Sequence, residues 1–334
     1  MKTFIDKHDV SLREIRSPYE LQTSLGGVDR FYSALPYVYD QIDFADVELF
    51  ATIHGLRPLE LPTDRYEYRY DRSMRGWAKY VGKHVLRRWY VGRHRRRFRD
   101  LVLTSARRKT FVVPSQHTKY AILDTFPDVD GEDIRVLYSP QRQFRPETGA
   151  DDLIQRGVSP GRYVLLVSGG RWIKNAYRAV HALDELFRRQ TDVDLEVVIT
   201  GVGDESSIFG SLRNEERFHF LDYVERPVLE SLYKHAYCLL YPTLNEGFGY
   251  PPLEAMRYGT PVVCSSVTSL PEICQDAALF VNPYSAPEIR NRVLRLVRSQ
   301  DAYSRYSERA TRRHTKVSDQ QQGDLDDLCR LLLA

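Results

Sequence analysis

The chain has 334 residues, 42% of them hydrophobic and 28% charged, with 19 Gly, 17 Pro and 4 Cys. This ordinary globular composition excludes a disordered, collagenous or disulfide-scaffold chain, and the length suits two domains, each able to bury its own core. The net charge of +3 conceals a local imbalance: residues 65–109 carry 16 Lys and Arg against Glu67, Asp71 and Asp100, a local +13 that leaves the remainder at −10.

No run reaches the ~18 apolar residues of a membrane span, and the opening MKTFIDKHDV lacks the apolar stretch of a signal peptide. The expectation is a cytoplasmic protein. Cys238, Cys264, Cys274 and Cys329 form no CxxC pair, which favours buried thiols over bridges and argues against a Cys-based zinc site.

In chain order, Thr3–Ile5 is a short candidate strand and Val47–Ile53 (VELFATI) a clear one, ending at His54. The basic block follows. Trp77, Val81, Val85 and Trp89 recur at four-residue spacing, which lays one apolar stripe along a long helix. Its basic face is either simply solvated or a docking surface for anionic lipid headgroups or a lipid-diphosphate substrate. Nucleic acid is the least favoured partner, because no base-stacking or groove-reading motif accompanies the charge. Phe111–Val113 and Ile134–Leu137 are the remaining strands of this half. Ser115 suits a helix cap, with His117 on that helix surface. From Ser139-Pro140 to Asp152 the chain reads as a linker.

Beyond residue 160, short apolar runs alternate with helical patterns: Arg162–Ser168, Leu195–Thr200, Phe218–Tyr223, Tyr237–Pro242, Pro261–Cys264 and Ala278–Asn282. The first, second and fourth are continuous rather than alternating, as in parallel strands covered on both faces. Between the first two lies a helix over Asn175–Arg189, with Val180, Leu183 and Phe187 on one side. The alternation predicts a doubly wound parallel α/β sheet.

Tyr241–Pro261 (YPTLNEGFGYPPLEAMRYGTP) holds the densest chemistry. A strand ends at Pro242, a glycine loop follows, and a helix opens at Pro251-Pro252, where a missing N–H costs nothing. Gly259 sits where a left-handed residue ends that helix. Gly247 and Gly249 leave backbone N–H groups approachable, and the helix start behind them favours an anion such as phosphate. Glu246 and Glu254 suit hydrogen bonds from sugar or ribose hydroxyls, although Glu254 alone could simply complement the helix dipole. A second constellation, Val167–Asn175 (VSGGRWIKN), runs from a strand through Gly169-Gly170 towards a helix. Arg171 can bind a diphosphate bidentately and Lys174 as a point charge, while the glycine turn and helix start supply backbone donors. No GxGxxG is present, which lowers the odds of a nicotinamide dehydrogenase.

Asn245-Glu246-Gly247-Phe248-Gly249 with Pro252-Leu253-Glu254-Ala255-Met256 resembles the E-x7-E signature of retaining glycosyltransferases of the GT-B fold, family GT4 (group 1). Leu221-Asp222-Tyr223-Val224, Ser269-Leu270-Pro271-Glu272 and Ala277-Ala278-Leu279-Phe280 agree with it, closest in flavour to mannosyl- and rhamnosyltransferases of surface-polysaccharide assembly. The resemblance covers about residues 45–320. It implies two Rossmann-like domains facing a cleft: an acceptor-side domain over 1–149 that includes the basic region, a nucleotide-sugar domain over 150–308, and a final helix over 309–334 returning toward the first.

The implied reaction moves a hexose or deoxyhexose from a nucleoside-diphosphate sugar to a saccharide or lipid-linked hydroxyl with retention. In that scheme Gly170, Arg171 and Lys174 hold the diphosphate, and Glu246 with the Gly247-Phe248-Gly249 backbone holds the sugar. Glu254 takes the ribose, Tyr223-Val224 lie beside the base, and His54, from a segment resembling the family's TIHDL, orients sugar or acceptor. The family's acid after that histidine is replaced by Gly55. No metal and no cofactor beyond the donor are implied, since no Asp-x-Asp pair is present at the site.

Ser24-Leu25-Gly26-Gly27-Val28 is either the family's N-terminal glycine loop or, preferably, the turn before a strand bearing Phe31-Tyr32. The resemblance also implies that the N-terminal domain is abbreviated, so that a second chain or a second copy caps its sheet edge. Two other function classes stand beside the enzyme: a catalytically weak or silent partner subunit, and a membrane-surface interaction module at the inner face of the cytoplasmic membrane.

Overall fold

The computed structural model describes residues 27–35, 44–141 and 149–333, the side chains of residues 45 and 204–206 excepted. Thr3–Ile5, Ser24–Gly26 and most of the linker lie outside the described residues. Two compact units emerge: residues 1–60, 87–140 and 319–334 form the first, residues 61–86 and 141–318 the second.

The strands are β1 (Arg30–Ser33), β2 (Phe44–Thr52), β3 (Ala106–Val113), β4 (Ile134–Val136), β5 (Tyr163–Leu166), β6 (Glu196–Ile199), β7 (Phe218–Phe220), β8 (Cys238–Tyr241), β9 (Val262–Ser265) and β10 (Ala278–Val281). The longer helices are α1 (Met74–Val85), α2 (Arg87–Val102), α3 (Gln116–Thr125), α4 (Ala176–Arg189), α5 (Arg226–His235), α6 (Tyr250–Met256), α7 (Ala286–Arg298) and α8 (Gln300–Leu333).

The first unit is built on a four-stranded parallel sheet in the order β1-β2-β3-β4. Leu49, Ala51, Ile53, Phe111, Val113 and Ile134 meet Phe98 and Leu101 of α2 and Ile122 of α3 in its core. Phe31-Tyr32 do lie in a strand, as the preferred reading of the preceding glycines expected. Strand β3 begins five residues earlier than the apolar run suggests, at Ala106. Its basic half, Arg107–Lys109, is held by ladder pairing to β2 and by Glu48, which lies 3.5 Å from Arg107 and 3.0 Å from Arg30. The Arg30 guanidinium holds the Glu48 carboxyl below its usual range. From the last helix, the Asp324 carboxylate accepts the Tyr138 N–H at 2.7 Å and the Gln321 amide donates to Ser139 O at 2.6 Å.

The second unit carries a six-stranded parallel sheet in the order β10-β9-β8-β5-β6-β7. All six apolar runs of the sequence are strands here, and α4 buries Val180, Leu183 and Phe187 against them. Strand order reverses between β5 and β8, whose residues pair Val164 with Cys238 and Leu165 with Leu239. Loops that leave neighbouring strands in opposite directions open a crevice at their carboxyl ends, where ligands of such sheets gather.

The basic block departs from the expected single helix. Leu86 leaves helical geometry (φ −101°, ψ 29°) and caps α1, so Trp77 and Val85 belong to one helix and Trp89 to the next. Leu61–Leu86, expected with the N-terminal half, packs with the second unit. The reason is a set of local ties. Asp64 pairs with Arg178, the Tyr70 hydroxyl accepts the Tyr177 N–H, and Tyr66 lies against Tyr177 with ring centroids 4.5 Å apart. At the other end of the chain, α8 joins the first unit only from residue 319, not from 309.

Candidate functional site

The turn after β5 is shaped by packing. Ser168 adopts φ 55°, the Gly169 N–H donates to Thr200 O at 2.7 Å, and the Gly170 N–H donates to Gly201 O at 2.9 Å. A Cβ on Gly170 would stand 2.4 Å from that same carbonyl, and one on Gly169 only 2.3 Å from Ile199 Cγ2. The two glycines therefore let this turn press on the loop after β6. That corrects the expectation that Gly170 presents a backbone donor to phosphate, since its N–H is already spent.

Trp172–Lys174 form one 3-10 turn that ends in a left-handed Asn175 (φ 61°), and α4 begins at Ala176. The chain reversal turns the Lys174 side chain inward, where its ammonium donates to Glu246 Oε1 at 2.6 Å and to the Tyr241 hydroxyl at 2.5 Å. The Tyr241 hydroxyl in turn donates to Glu246 Oε1 at 2.6 Å, and Thr243 Oγ1 lies 2.8 Å from the same oxygen. One carboxylate oxygen thus collects an ammonium and two hydroxyls. Burial, and then the adjacent Glu246 carboxylate, push the Tyr241 phenol well above its usual range, so it stays a neutral donor. Among the described residues, Glu246 Oε2 accepts no hydrogen bond. Backbone contacts fix the loop itself: the Glu246 N–H donates to Thr268 Oγ1 at 3.0 Å, and Ser269 Oγ donates to Phe248 O at 2.8 Å.

The remaining predicted residues fall into three situations. Arg171, directly after the two glycines, is exposed, and its guanidinium makes no hydrogen bond among the described residues. Tyr223 is also exposed (86%) beyond β7, with Val224 half-buried beside it. Phe248 and Gly249 are buried and structural in placement. Phe248 packs on Tyr250, and Gly249 adopts φ 110° with Leu270 Cδ2 2.6 Å from where a Cβ would stand. Gly247 is half-buried between them and Glu246.

Glu254 is buried in α6 and already occupied: Arg226 Nη2 donates to its Oε1 at 2.7 Å, and the Tyr233 hydroxyl is hydrogen-bonded to it. The helix start expected to greet an anion after Lys174 is also covered, because the Tyr70 hydroxyl accepts the Tyr177 N–H at 2.9 Å in the first turn of α4. Here a side chain satisfies one of the donors that a helix start leaves unpaired.

In the first unit, His54 follows β2, is exposed, and meets the Ala34 carbonyl through Nε2 at 2.9 Å. Gly55, standing where the resembled family carries an acid, adopts φ 146°, a backbone that side-chain-bearing residues rarely take. Ser115 caps α3 by accepting the Thr118 N–H at 3.2 Å, as expected, and His117 in the first turn pairs with Glu60 at 2.6 Å, a contact the sequence gives no sign of. No cluster of three or more His, Cys, Asp or Glu gathers at one point among the described residues.

The sequence reading missed Tyr241 and Thr243 as members of the carboxylate cluster, although both lie inside the segment it singled out. It also missed Arg226, Arg178 and Asp64, for which spacing gives no signal.

Comparison with known proteins bears on the fold and on the segment that holds these loops. The family described as glycosyl transferases group 1 matches residues 153–313, which include both loops of the site. The O-antigen chain mannosyltransferase RfbU of Salmonella typhimurium is 28% identical over 215 residues, 63% of this chain and 57% of that protein. O-antigen chain mannosyltransferase B of Escherichia coli is 48% identical over 75 residues, 22% of this chain and 20% of its own length. The alignments therefore span about half of the first relative and a fifth of the second. Among solved structures, HepE of Anabaena in complex with UDP and glucose aligns at a TM-score of 0.70 with 15% identity, covering 98% of this chain and 88% of that one. The two parallel sheets are those of a GT-B fold, and residues 153–313 are similar to the glycosyl transferases group 1 family.

Proposed function

We propose that this protein is a retaining glycosyltransferase that moves a hexose or deoxyhexose from a nucleoside-diphosphate sugar to a saccharide or lipid-linked hydroxyl in surface-polysaccharide assembly. The convergence of Lys174, Tyr241 and Thr243 on Glu246 Oε1 is the observation that carries this reading. Three donors on one oxygen lock the carboxylate and leave Oε2 to accept hydrogen bonds from a sugar hydroxyl. During transfer, the bond from the anomeric carbon to the phosphate oxygen breaks and a bond to the acceptor oxygen forms, with the acceptor proton lost. Negative charge grows on the departing diphosphate. The exposed Arg171 guanidinium and the third N–H of Lys174 offset it, which is the main catalytic task in such a departure.

In this reading no metal or cofactor takes part, Glu254 serves the ribose hydroxyls in the orientation that Arg226 gives it, Tyr223-Val224 flank the base, and His54 orients sugar or acceptor. The mannosyltransferase descriptions of the two relatives favour mannose and an O-antigen-type acceptor.

The test is transfer from radiolabelled sugar nucleotides, with the base first chosen by thermal shift against GDP, UDP and dTDP, because a ligand bound only by the folded state raises the melting temperature. Lys174→Ala and Glu246→Gln are each expected to lower kcat by about 100-fold or more, with circular dichroism unchanged. Unchanged turnover in either variant would overturn the assignment.

A second observation favours work at a membrane surface. On α1 and its cap, Met74, Trp77, Val85 and Leu86 are all more than half exposed beside Arg72, Arg75 and Lys79. Exposed apolar side chains among cations suit an anionic bilayer interface. No helix among the described residues is long and apolar enough to cross a membrane.

A further inference from the structure

We infer that Asp64 and Arg178 are positioning residues for the Lys174–Glu246 pair and act through the side-chain amide of Asn175. The inference rests on the catalytic role proposed above for that pair.

Asn175 follows Lys174 directly and holds a left-handed backbone, which asparagine adopts more readily than most residues. Its side chain is almost completely buried and fully engaged. Nδ2 donates to Pro242 O at 2.9 Å and to Pro283 O at 2.8 Å, while Oδ1 accepts from Arg178 Nη1 at 2.7 Å. Pro242 immediately precedes Thr243, whose hydroxyl reaches Glu246. One amide therefore ties the turn carrying Lys174 to the loop carrying Glu246, and both to the chain leaving β10.

An amide has two ends of similar shape and opposite polarity, so a flip would set Oδ1 against two carbonyls. Arg178 prevents it, because a guanidinium has only donors and accepts nothing from Nδ2. Arg178 is fixed in its turn. Asp64 grips its fork at two points, Oδ1 to Nη1 at 3.1 Å and Oδ2 to Nη2 at 2.9 Å, and the guanidinium lies over the rings of Tyr66 at 4.5 Å and Tyr284 at 5.1 Å. Both members of the ion pair are more than nine-tenths buried. A buried pair of this kind adds little net stability compared with apolar packing but is costly to break. Its specific yield here is the orientation of Asn175, and so the register between the two loops.

The test uses the full chain. In Asp64→Asn, kcat should fall by about 10- to 100-fold with donor KM within twofold, because misplacing catalytic groups costs rate rather than ground-state binding. Arg178→Lys keeps a positive charge but loses the planar fork that grips both Asp64 oxygens while reaching Asn175, and it should show the same split. Independently of catalysis, the Asn175 side-chain NH2 signal in 15N-labelled protein, identified by its loss in Asn175→Asp, should be protected from solvent exchange in the parent. It should lose at least about tenfold of that protection in Asp64→Asn. Retained protection, or unchanged kcat despite lost protection, would overturn the inference. A parent protein with no transfer activity would overturn the proposed function instead, and the amide exchange would then decide the positioning by itself.

Discussion

Arg226 links Glu254 to Glu230: one guanidinium nitrogen lies 2.7 Å from Glu254 Oε1 and 2.5 Å from Glu230 Oε1. Glu230 is almost wholly buried, with Tyr258 donating to its second oxygen at 2.7 Å and Arg257 further off at 3.8 Å. Removing the shared cation would leave two carboxylates inside the protein with little compensation. Arg226→Ala should therefore cost about 3–5 kcal/mol of unfolding free energy, the range for a broken buried pair. Urea denaturation measures it, and Arg226→Ala combined with Glu230→Gln should recover part of the loss. A single-variant cost below about 1 kcal/mol would contradict this account.

The aromatic and basic exposure of α1 makes a membrane prediction. The protein should float with vesicles containing phosphatidylglycerol and should detach as salt rises, since the electrostatic part of the attraction is screened. Trp77→Ala should weaken flotation at every salt concentration, because it removes a large aromatic ring that is 58% exposed. Equal flotation of parent and variant would exclude α1 as the contact. Binding that ignores salt would exclude the cationic contribution.

A pH prediction follows from His181 on α4. Burial pushes its imidazole below the ordinary range, and Arg69 adds to that, while the Phe209 backbone and Asp184 pull the other way. Its Nε2 is buried and has no hydrogen-bond partner among the described residues. The folded state thus resists protonating a group that the unfolded chain protonates near pH 6.5. The stability is complete above that pH and is lost progressively as the pH falls towards the lower folded-state value. Burial shifts His235 and His314 in the same direction. The melting temperature should accordingly decline between pH 7.5 and pH 5, and His181→Gln should flatten part of the decline. An identical slope in the two proteins would remove His181 from the explanation.

Much of the second unit is readable in the sequence because its strands are covered on both faces. Residues such as Val164, Leu165, Val197 and Val198 must all be apolar, so the runs stand out against the helices between them. Strand β3 is half hidden because Arg107, Arg108 and Lys109 sit on its exposed end, where pairing to β2 rather than side-chain burial makes the strand. Lys174 and Glu246 are legible through the motifs that hold them. Asp64 is not, since its partner lies 114 residues away and a single ion pair leaves no periodic trace. The Gly169-Gly170 pattern marks a tight turn, but only the packed structure shows that the Gly201 carbonyl leaves no room for a side chain at 170.

The first sheet's unit draws on residues 319–334 as well as 1–60 and 87–140. A nascent chain emerging from the ribosome cannot finish that unit when its strands appear, although domains ordinarily mature in the order they are synthesised. The second unit also waits on both sides, needing residues 61–86 made early and 141–318 made late. Cutting the gene into an upstream and a downstream half would therefore yield two incomplete polypeptides, and separate expression calls for splicing along these discontinuous borders.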